Sequence, residues 1–144
     1  MPGVVFDTSV FIAYQPRKFP PGFLMSAVVI QELAAGAIDK SVVQELNAIR
    51  QRREKEGTLL VPTSEDWWEA GRVLYALLRG LKSQSGGKTP RLPAEEKHRL
   101  IRDVLIARTV KRAGARLVTD NRKDFARIKR FCNIKLVSGA DYFG

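Results

Sequence analysis

The chain of 144 residues is 44% hydrophobic and 28% charged, which predicts one soluble globular domain over residues 1–144 and leaves no room for a second. The single cysteine excludes an intrachain disulfide, no basic-then-apolar leader opens the chain, and no apolar stretch approaches the ~20 residues that cross a bilayer, so we expect a cytoplasmic protein without a membrane partner. A formal net charge of +10 favours a polyanionic partner such as RNA, DNA or an acidic protein.

Strands and helices are predicted to alternate from the N-terminus onward. A short β-branched and aromatic run ends at Asp7, and Thr8 or Ser9 is placed to cap a following helix. Ser26 precedes another helical segment, and Gly57 ends the next. The predicted elements of the first half are a strand at Val4–Phe6, a helix through residue 14, helices at Ala27–Ala35 and about 41–56, and a strand at 59–61.

The second half continues the same alternation. Thr63 and Asp66 resemble a capping box at the start of a helix, and its apolar stripe is predicted to pack in the core, with Trp67 and Trp68 in the core or in a dimer contact. Residues 82–93 combine Gly, Ser, Pro and Lys without an apolar period, which predicts a mobile basic loop. Further predicted elements are a helix at 94–113, a strand at Arg116–Val118, a helix from 121 or 122 to 131, and a strand at 134–137. This order predicts an α/β fold with a mostly parallel sheet covered on both faces.

Several carboxylates lie next to segments that are predicted to be buried. Asp7 and Asp120 each follow a predicted strand, and the carboxyl ends of parallel strands meet at one edge of a sheet. Glu32 and Asp103 lie on otherwise apolar helix faces, where an unpaired carboxylate costs several kcal/mol. Each of these two acids therefore needs a cation, a set of hydrogen-bond donors or contact with solvent.

A cluster of such acids predicts a divalent metal ion. Two carboxylates about 5 Å apart repel each other by roughly 3 kcal/mol at an effective dielectric constant near 20, and a divalent ion removes this repulsion. Oxygen ligands without histidine or cysteine favour Mg²⁺ or Mn²⁺ over Zn²⁺, and the single histidine, His98, is interpreted as a solvated side chain. Carboxylates that hold Mg²⁺ in a basic protein are typical of a nuclease.

Four segments that contain these acids resemble the four motifs of PIN-domain ribonucleases, and the likeness is greatest to the VapC-type toxins of toxin/antitoxin modules. The four motifs occur in the family's order and span nearly the whole chain, which makes the resemblance far more specific than any one motif. The segments are VVFDTSVFIAY at 4–14, SAVVIQELAAGA at 26–37, RDVLIARTV at 102–110 and LVTDNRKDF at 117–125.

The resemblance implies a PIN-like three-layer α/β/α sandwich and assigns roles to individual residues. It implies that Asp7 and Asp103 bind Mg²⁺ or Mn²⁺, that Glu32 completes the acidic cluster, and that the last motif supplies another acid. Thr8 or Thr119 would add a hydroxyl that orients a ligand or water. The family further implies metal-dependent endonuclease action on structured RNA such as tRNA or rRNA, a homodimer, and a cognate antitoxin that blocks the site.

Two positions depart from the family pattern. The residue before the third acid is commonly Asn in the family and is Arg102 here. In the last motif, the pattern aligns Asn121 and Asp124 with the functional positions and leaves Asp120 as an extra acid, so Asp120 and Asp124 both remain candidate catalytic and metal-binding residues.

Basic residues surround the predicted site. Residues 108–130 contain nine Lys or Arg against two acids, which favours contact with RNA. The candidate RNA-binding residues are Arg102, Arg108, Lys111, Arg112, Arg122 and Lys123.

Each acid also has a structural interpretation. Asp7 is placed to cap a helix, Glu32 or Asp103 to pair with a buried arginine, and Asp120 or Asp124 to cap the predicted helix that follows. The alternative functions are a non-catalytic PIN-like protein that binds RNA or serves in assembly, and a nuclease that acts on DNA. The first alternative predicts that an acid of the motifs is lost, and none is lost here.

Overall fold

The computed structural model describes residues 3–14, 19–84, 86 and 92–144. No helix in this part of the chain is both long and apolar enough to span a lipid bilayer. The strands are β1 Val4–Phe6, β2 Met25–Ser26, β3 Leu59–Leu60, β4 Arg116–Val118 and β5 Leu136–Val137. The helices are α1 Thr8–Ala13, α2 Ala27–Ala35, α3 Lys40–Glu56, α4 Ser64–Gln84, α5 Ala94–Arg112, α6 Arg122–Arg127 and α7 Gly139–Phe143.

The strands pair in parallel. β4 lies between β1 and β5, with Phe6 beside Val118, and β2 pairs with β3. A parallel bridge between Val5 and Leu24 places the start of β2 next to β1, so the strands follow the order β3-β2-β1-β4-β5. The carboxyl ends of β1 and β4 therefore lie side by side, which is where ligands bind in doubly wound sheets.

Alternate residues of the central strands pack on opposite faces of the sheet. Val5 and Leu117 belong to the larger core, which also contains apolar residues of α2, α4 and α5. Phe6 and Val118 belong to a second core with α1 and α7, where the Phe6 ring lies 5.3 Å from the ring of Tyr142. Both faces are covered, as strands buried on two sides require, and the predicted parallel α/β architecture is confirmed.

Several helix ends form where capping residues predict them. The Ser26 hydroxyl accepts a hydrogen bond from the Val29 amide at the start of α2. Gly57 ends α3 with a φ of 74°, a left-handed conformation that glycine adopts without a Cβ clash. The predicted capping box is also present, since the Asp66 amide donates to the Thr63 hydroxyl at 3.2 Å and the Thr63 amide to the Asp66 carboxylate at 2.9 Å.

The prediction that Trp67 and Trp68 pack in the core is wrong. Their side chains are 57% and 71% exposed. Ala70 and Val73 are buried instead, and together with Asp66 they occupy the i, i+4, i+7 face that packs on the rest of the domain. The dimer contact proposed for the two tryptophans stays a prediction.

The last third of the chain also differs from prediction. The predicted helix through residue 131 ends at Arg127, because the chain turns there and brings Ile128 and Cys132 into the core. The amides of Phe131 and Cys132 both donate to the Ile128 carbonyl in that turn. β2 and α7 were not predicted, since two and five residues are too short for hydrophobic periodicity to mark them.

The predicted loop at 82–93 begins later than expected. α4 continues to Gln84, so the first three residues of that stretch are helical. Residues 85 and 87–91 lie outside the described part of the chain.

Candidate metal centre

Asp7 lies at the carboxyl end of β1 and is 5% exposed. Its Oδ2 atom accepts a hydrogen bond from the Thr119 hydroxyl at 2.8 Å, across from the end of β4, and a longer one from the Ser9 hydroxyl at 3.3 Å. Burial raises the pKa of Asp7 above its ordinary value, the two hydroxyls oppose this rise, and the charge of Asp124 adds to it. Asp7 occupies the N-cap position of α1, but its carboxylate makes no capping hydrogen bond, so the capping interpretation does not account for it.

Asp103 lies in the middle of α5 and is 7% exposed. Its Oδ2 atom is buried and has no hydrogen-bond partner within the described residues. Burial, followed by the charges of Asp124, Asp7 and Glu32, raises the pKa of Asp103 to about 8. The Asp103 carboxyl group therefore holds a proton at neutral pH unless a cation replaces it.

Glu32 lies in the second half of α2, and it does have a cationic partner. Its Oε1 atom lies 3.7 Å from Nε of Arg102, and its side chain is 23% exposed. Burial raises the pKa of Glu32, the charge of Arg102 opposes this rise, and the charge of Asp7 adds to it. The predicted alternative of an arginine partner thus applies to Glu32 and not to Asp103.

The two candidate acids of the last motif have different environments. Asp120 is exposed, and its Oδ1 atom accepts a hydrogen bond from the Gly139 amide at 2.9 Å, at the start of α7. Asp124 lies in the first turn of α6, is partly buried, and raises the pKa of both Asp7 and Asp103. Asp124 thus faces the acidic cluster, whereas Asp120 holds the chain ahead of α7.

The predicted supporting residues lie around Asp7. Besides donating to Asp7, Thr119 accepts a hydrogen bond from the Asn121 amide at 3.0 Å. Asn121 precedes α6 but its side chain does not cap the helix. The Thr8 hydroxyl is buried and makes no hydrogen bond of normal geometry within the described residues.

The predicted RNA-binding residues differ in the groups that they contact. The guanidinium groups of Arg108 and Arg112 bind Asp66 between α4 and α5, with Arg108 Nε 2.8 Å from Asp66 Oδ1. Lys111, on the same helix, is exposed. Arg122 and Lys123 of α6 line a cavity of about 450 Å³ together with Lys129, Asn133 and apolar side chains. Arg102 faces Glu32 instead.

Sequence reasoning missed two residues of the site. Ser9 bridges Asp7 and the Asp120 amide, with a distance of 3.3 Å to each. The charge of Arg127, on α6, opposes the rise in the pKa of Asp103. Ser9 could have been identified from the sequence, because it follows Asp7 by two residues. Nothing in the sequence indicates that Arg127 faces Asp103.

The chemistry of these residues fits a divalent cation, although the described residues contain no group of three acidic, histidine or cysteine side chains already arranged to hold one. The donors are carboxylate oxygens, which Mg²⁺ and Mn²⁺ prefer. The unpartnered, buried Oδ2 of Asp103 lacks the hydrogen bond that buried polar atoms almost always have. A cation bound to that oxygen would satisfy it and would offset the repulsion among Asp7, Asp103 and Asp124.

Solved structures with a similar fold cover almost the whole chain. The structure of VapBC-1 from nontypeable Haemophilus influenzae matches with a TM-score of 0.55 and 21% sequence identity, over 95% of this chain and 98% of that one. The structure of FitAB bound to an IR36 DNA fragment matches with a TM-score of 0.50 and 15% identity, over 94% of each chain. No protein-family profile and no curated protein matches the sequence. The likeness is one of fold, and it confirms the predicted PIN-like α/β/α architecture.

Proposed function

We propose that this protein is a metal-dependent endoribonuclease that hydrolyses phosphodiester bonds in structured RNA such as tRNA or rRNA, and that it is the toxin of a toxin/antitoxin module. One observation carries the proposal: a buried carboxylate oxygen of Asp103, which has no hydrogen-bond partner in the part of the chain that the structure describes, faces the charges of Asp7, Glu32 and Asp124. The sheet edge where this cluster lies is the ligand-binding edge of a doubly wound fold. The fold shared with VapBC-1 and FitAB supports the nuclease toxin assignment.

The chain's own residues divide the work of the site. Asp7, Asp103 and Asp124 would hold Mg²⁺ or Mn²⁺, and the hydroxyls of Thr119 and Ser9 fix the orientation of the Asp7 carboxylate. A bound divalent ion supplies a more acidic water and stabilises the negative charge that develops on a phosphodiester. Because Asp103 is protonated without a cation, its ionisation is coupled to cation binding.

The cationic residues of α6 support an RNA substrate. Arg122 and Lys123 begin the helix that carries Asp124, so a phosphate held by these two side chains lies on the element that also supplies an acid. Contacts of this kind bind phosphates without reading bases and weaken steeply as salt rises. Arg108 and Arg112 are already bound to Asp66 and are weaker candidates for RNA contact.

The same comparison supports a protein partner. VapBC-1 and FitAB are two-component assemblies, and their similarity to this chain supports a cognate antitoxin as the protein partner. A homodimer is expected from the family resemblance. FitAB was solved bound to a DNA fragment, so DNA is the substrate to test beside RNA.

The test is cleavage of pooled structured RNA, including tRNA, by the purified protein with Mn²⁺ or Mg²⁺. We expect discrete cuts, loss of the cuts with chelator, and a loss of about a thousandfold or more in Asp7→Asn and Asp103→Asn, since a metal contributes several kcal/mol to the transition state. Asp141→Asn, which removes an exposed carboxylate on α7, is the matched control and should cleave like the wild type. Intact RNA with tight binding would favour the non-catalytic alternative. Cleavage of DNA but not of RNA would make DNA the substrate.

A further inference from the structure

Arg102 is next in sequence to one acid of the cluster, but its side chain contacts another. It immediately precedes Asp103 on α5, and its Nε atom lies 3.7 Å from Oε1 of Glu32 on α2. Its charge acts on Glu32, whereas the cation that acts on Asp103 is Arg127. Glu32 therefore forms an ion pair, whereas Asp103 forms none among the described residues.

The contact between Arg102 and Glu32 is an ion pair without a hydrogen bond. A separation of 3.7 Å exceeds the 2.7–3.2 Å range of N–H···O hydrogen bonds, and the buried Nε atom of Arg102 has no other acceptor within the described residues. By comparison, Arg108 Nε lies 2.8 Å from Asp66 and is hydrogen-bonded. The Arg102 side chain is 37% exposed, so water reaches part of the guanidinium group but not Nε.

We propose that Arg102 is a positioning residue: it retains Glu32 as its counter-ion, so that a divalent metal is held by Asp7, Asp103 and Asp124 and Glu32 remains outside the ligand set. This inference rests on the proposed function, because it concerns the same metal centre. Arg102 occupies the position that is commonly Asn in the resembling family.

The pairing has a consequence for metal affinity. A carboxylate that binds a divalent ion directly loses most of its attraction for an arginine. A carboxylate that stays paired with the arginine attracts the ion only through space, without a coordination bond. Removing Arg102 therefore frees Glu32 to approach the metal, which raises the affinity of the site. Removing Glu32 costs only the through-space part of the attraction.

The test is a double-mutant cycle on Mn²⁺ affinity, measured by calorimetry with Glu32→Gln, Arg102→Gln and the combined variant. We expect Glu32→Gln to weaken binding by less than about fivefold and Arg102→Gln to strengthen it by about tenfold. In the Glu32→Gln background, Arg102→Gln should change the affinity by less than about threefold, since no carboxylate remains to be released. Arg102→Lys, which keeps the charge, should retain the wild-type affinity.

Arg72→Gln is the matched control, because it removes the same charge from an arginine that pairs with Glu69 on the surface of α4, and it should leave Mn²⁺ affinity unchanged. A loss in Glu32→Gln as large as the loss in Asp124→Asn would overturn the inference, since Glu32 would then behave as a direct ligand. An equal gain from Arg102→Gln in both backgrounds would also overturn it, since general electrostatics would then explain the effect. If the wild-type protein binds no Mn²⁺, the proposed function is contradicted as well. If Mn²⁺ binds but its affinity falls steeply in Glu32→Gln, only the role of Arg102 is contradicted.

Discussion

Asp66, which faces α5, and Asp103, which lies on α5, are both buried carboxylates, and they differ in the charges around them. Asp66 is 0% exposed, and although burial alone raises its pKa, hydrogen bonds from Arg112, the Thr63 amide and Arg108 outweigh burial and lower the pKa to about 2. Asp103 is 7% exposed and is surrounded by other acids, so its pKa rises to about 8. The same protein thus neutralises one buried carboxylate with its own arginines, whereas the other has an oxygen without a hydrogen-bond partner among the described residues.

The difference shows that the lack of a partner at Asp103 is local. The chain has 25 Lys and Arg, and α5 itself carries the two arginines that bind Asp66. An unneutralised carboxylate in a basic protein is therefore a feature of this site, and perturbed acids of this kind are concentrated at functional sites.

Removing the satisfied carboxylate should lower the stability of the protein. We expect Asp66→Asn to lower the free energy of unfolding by about 3 kcal/mol, because it leaves the half-buried Arg108 and its neighbour Arg112 without their partner. Urea denaturation measures the change. Glu69→Gln, which breaks an exposed pair with Arg72 on the same helix, is the control and should not measurably alter stability. Unchanged stability in Asp66→Asn would show that the two arginines do not stabilise Asp66, and would contradict its contrast with Asp103.

Removing the unsatisfied carboxylate should act in the opposite direction. We expect Asp103→Asn to stabilise the metal-free protein at pH 7.5 by about 2–4 kcal/mol. In the wild type, the Asp103 carboxyl group ionises more readily in the unfolded chain than in the fold, which favours unfolding. The asparagine side chain does not ionise, so this contribution is lost. Denaturation in the presence of a chelator gives the value. A destabilised Asp103→Asn protein would mean that this carboxylate has a partner that the mutation removes.

The two acids of the last motif should differ in their effect on metal binding. We expect Asp124→Asn to weaken Mn²⁺ binding by about 10- to 100-fold, equivalent to roughly 1.4–2.7 kcal/mol, because Asp124 faces Asp103 and Asp7. Asp120→Asn should retain most of the affinity, since the Asp120 carboxylate binds the Gly139 amide. Calorimetry on the two variants separates them, and the reverse order of affinities would assign the fourth acid to Asp120.

The two carboxylates also predict opposite pH dependences. The folded-state pKa of Asp103 is raised, so its contribution to the free energy of unfolding falls as pH rises from about 4 to about 8. The folded-state pKa of Asp66 is lowered, so its contribution to the free energy of unfolding falls as pH drops from about 4 to about 2. The stability gain of Asp103→Asn over the metal-free wild type should accordingly grow by about 1 kcal/mol per pH unit between pH 5 and 8 and then level off. A difference that is independent of pH in this range would contradict the raised pKa.

Much of the fold, and the proximity of Asp7 to Thr119, could be predicted because local signals mark them. The strand before Asp7 and the strand before Thr119 are short apolar runs, and adjacent parallel strands bring their carboxyl ends together. Ser26, Gly57 and the Thr63–Asp66 capping box mark helix ends through hydrogen bonds that involve only neighbouring residues.

The features that sequence did not predict depend on tertiary contacts. α7 is five residues long and is held by the packing of Tyr142 and Phe143 against Phe6. The pairing of Glu32 with Arg102, and the choice between Asp120 and Asp124, depend on how α2, α5 and α6 are arranged around the sheet edge. Spacing along the chain contains no information about distances of this kind.

Proton release on Mn²⁺ binding tests the central claim, that Asp103 lacks a partner until a cation takes the place of its proton. It is measured by titration calorimetry at pH 7 in buffers with different ionisation enthalpies. With the pKa of Asp103 at about 8, we expect close to one proton to leave the protein for each Mn²⁺ bound. Mn²⁺ binding without proton release, or no binding at all, would contradict the claim.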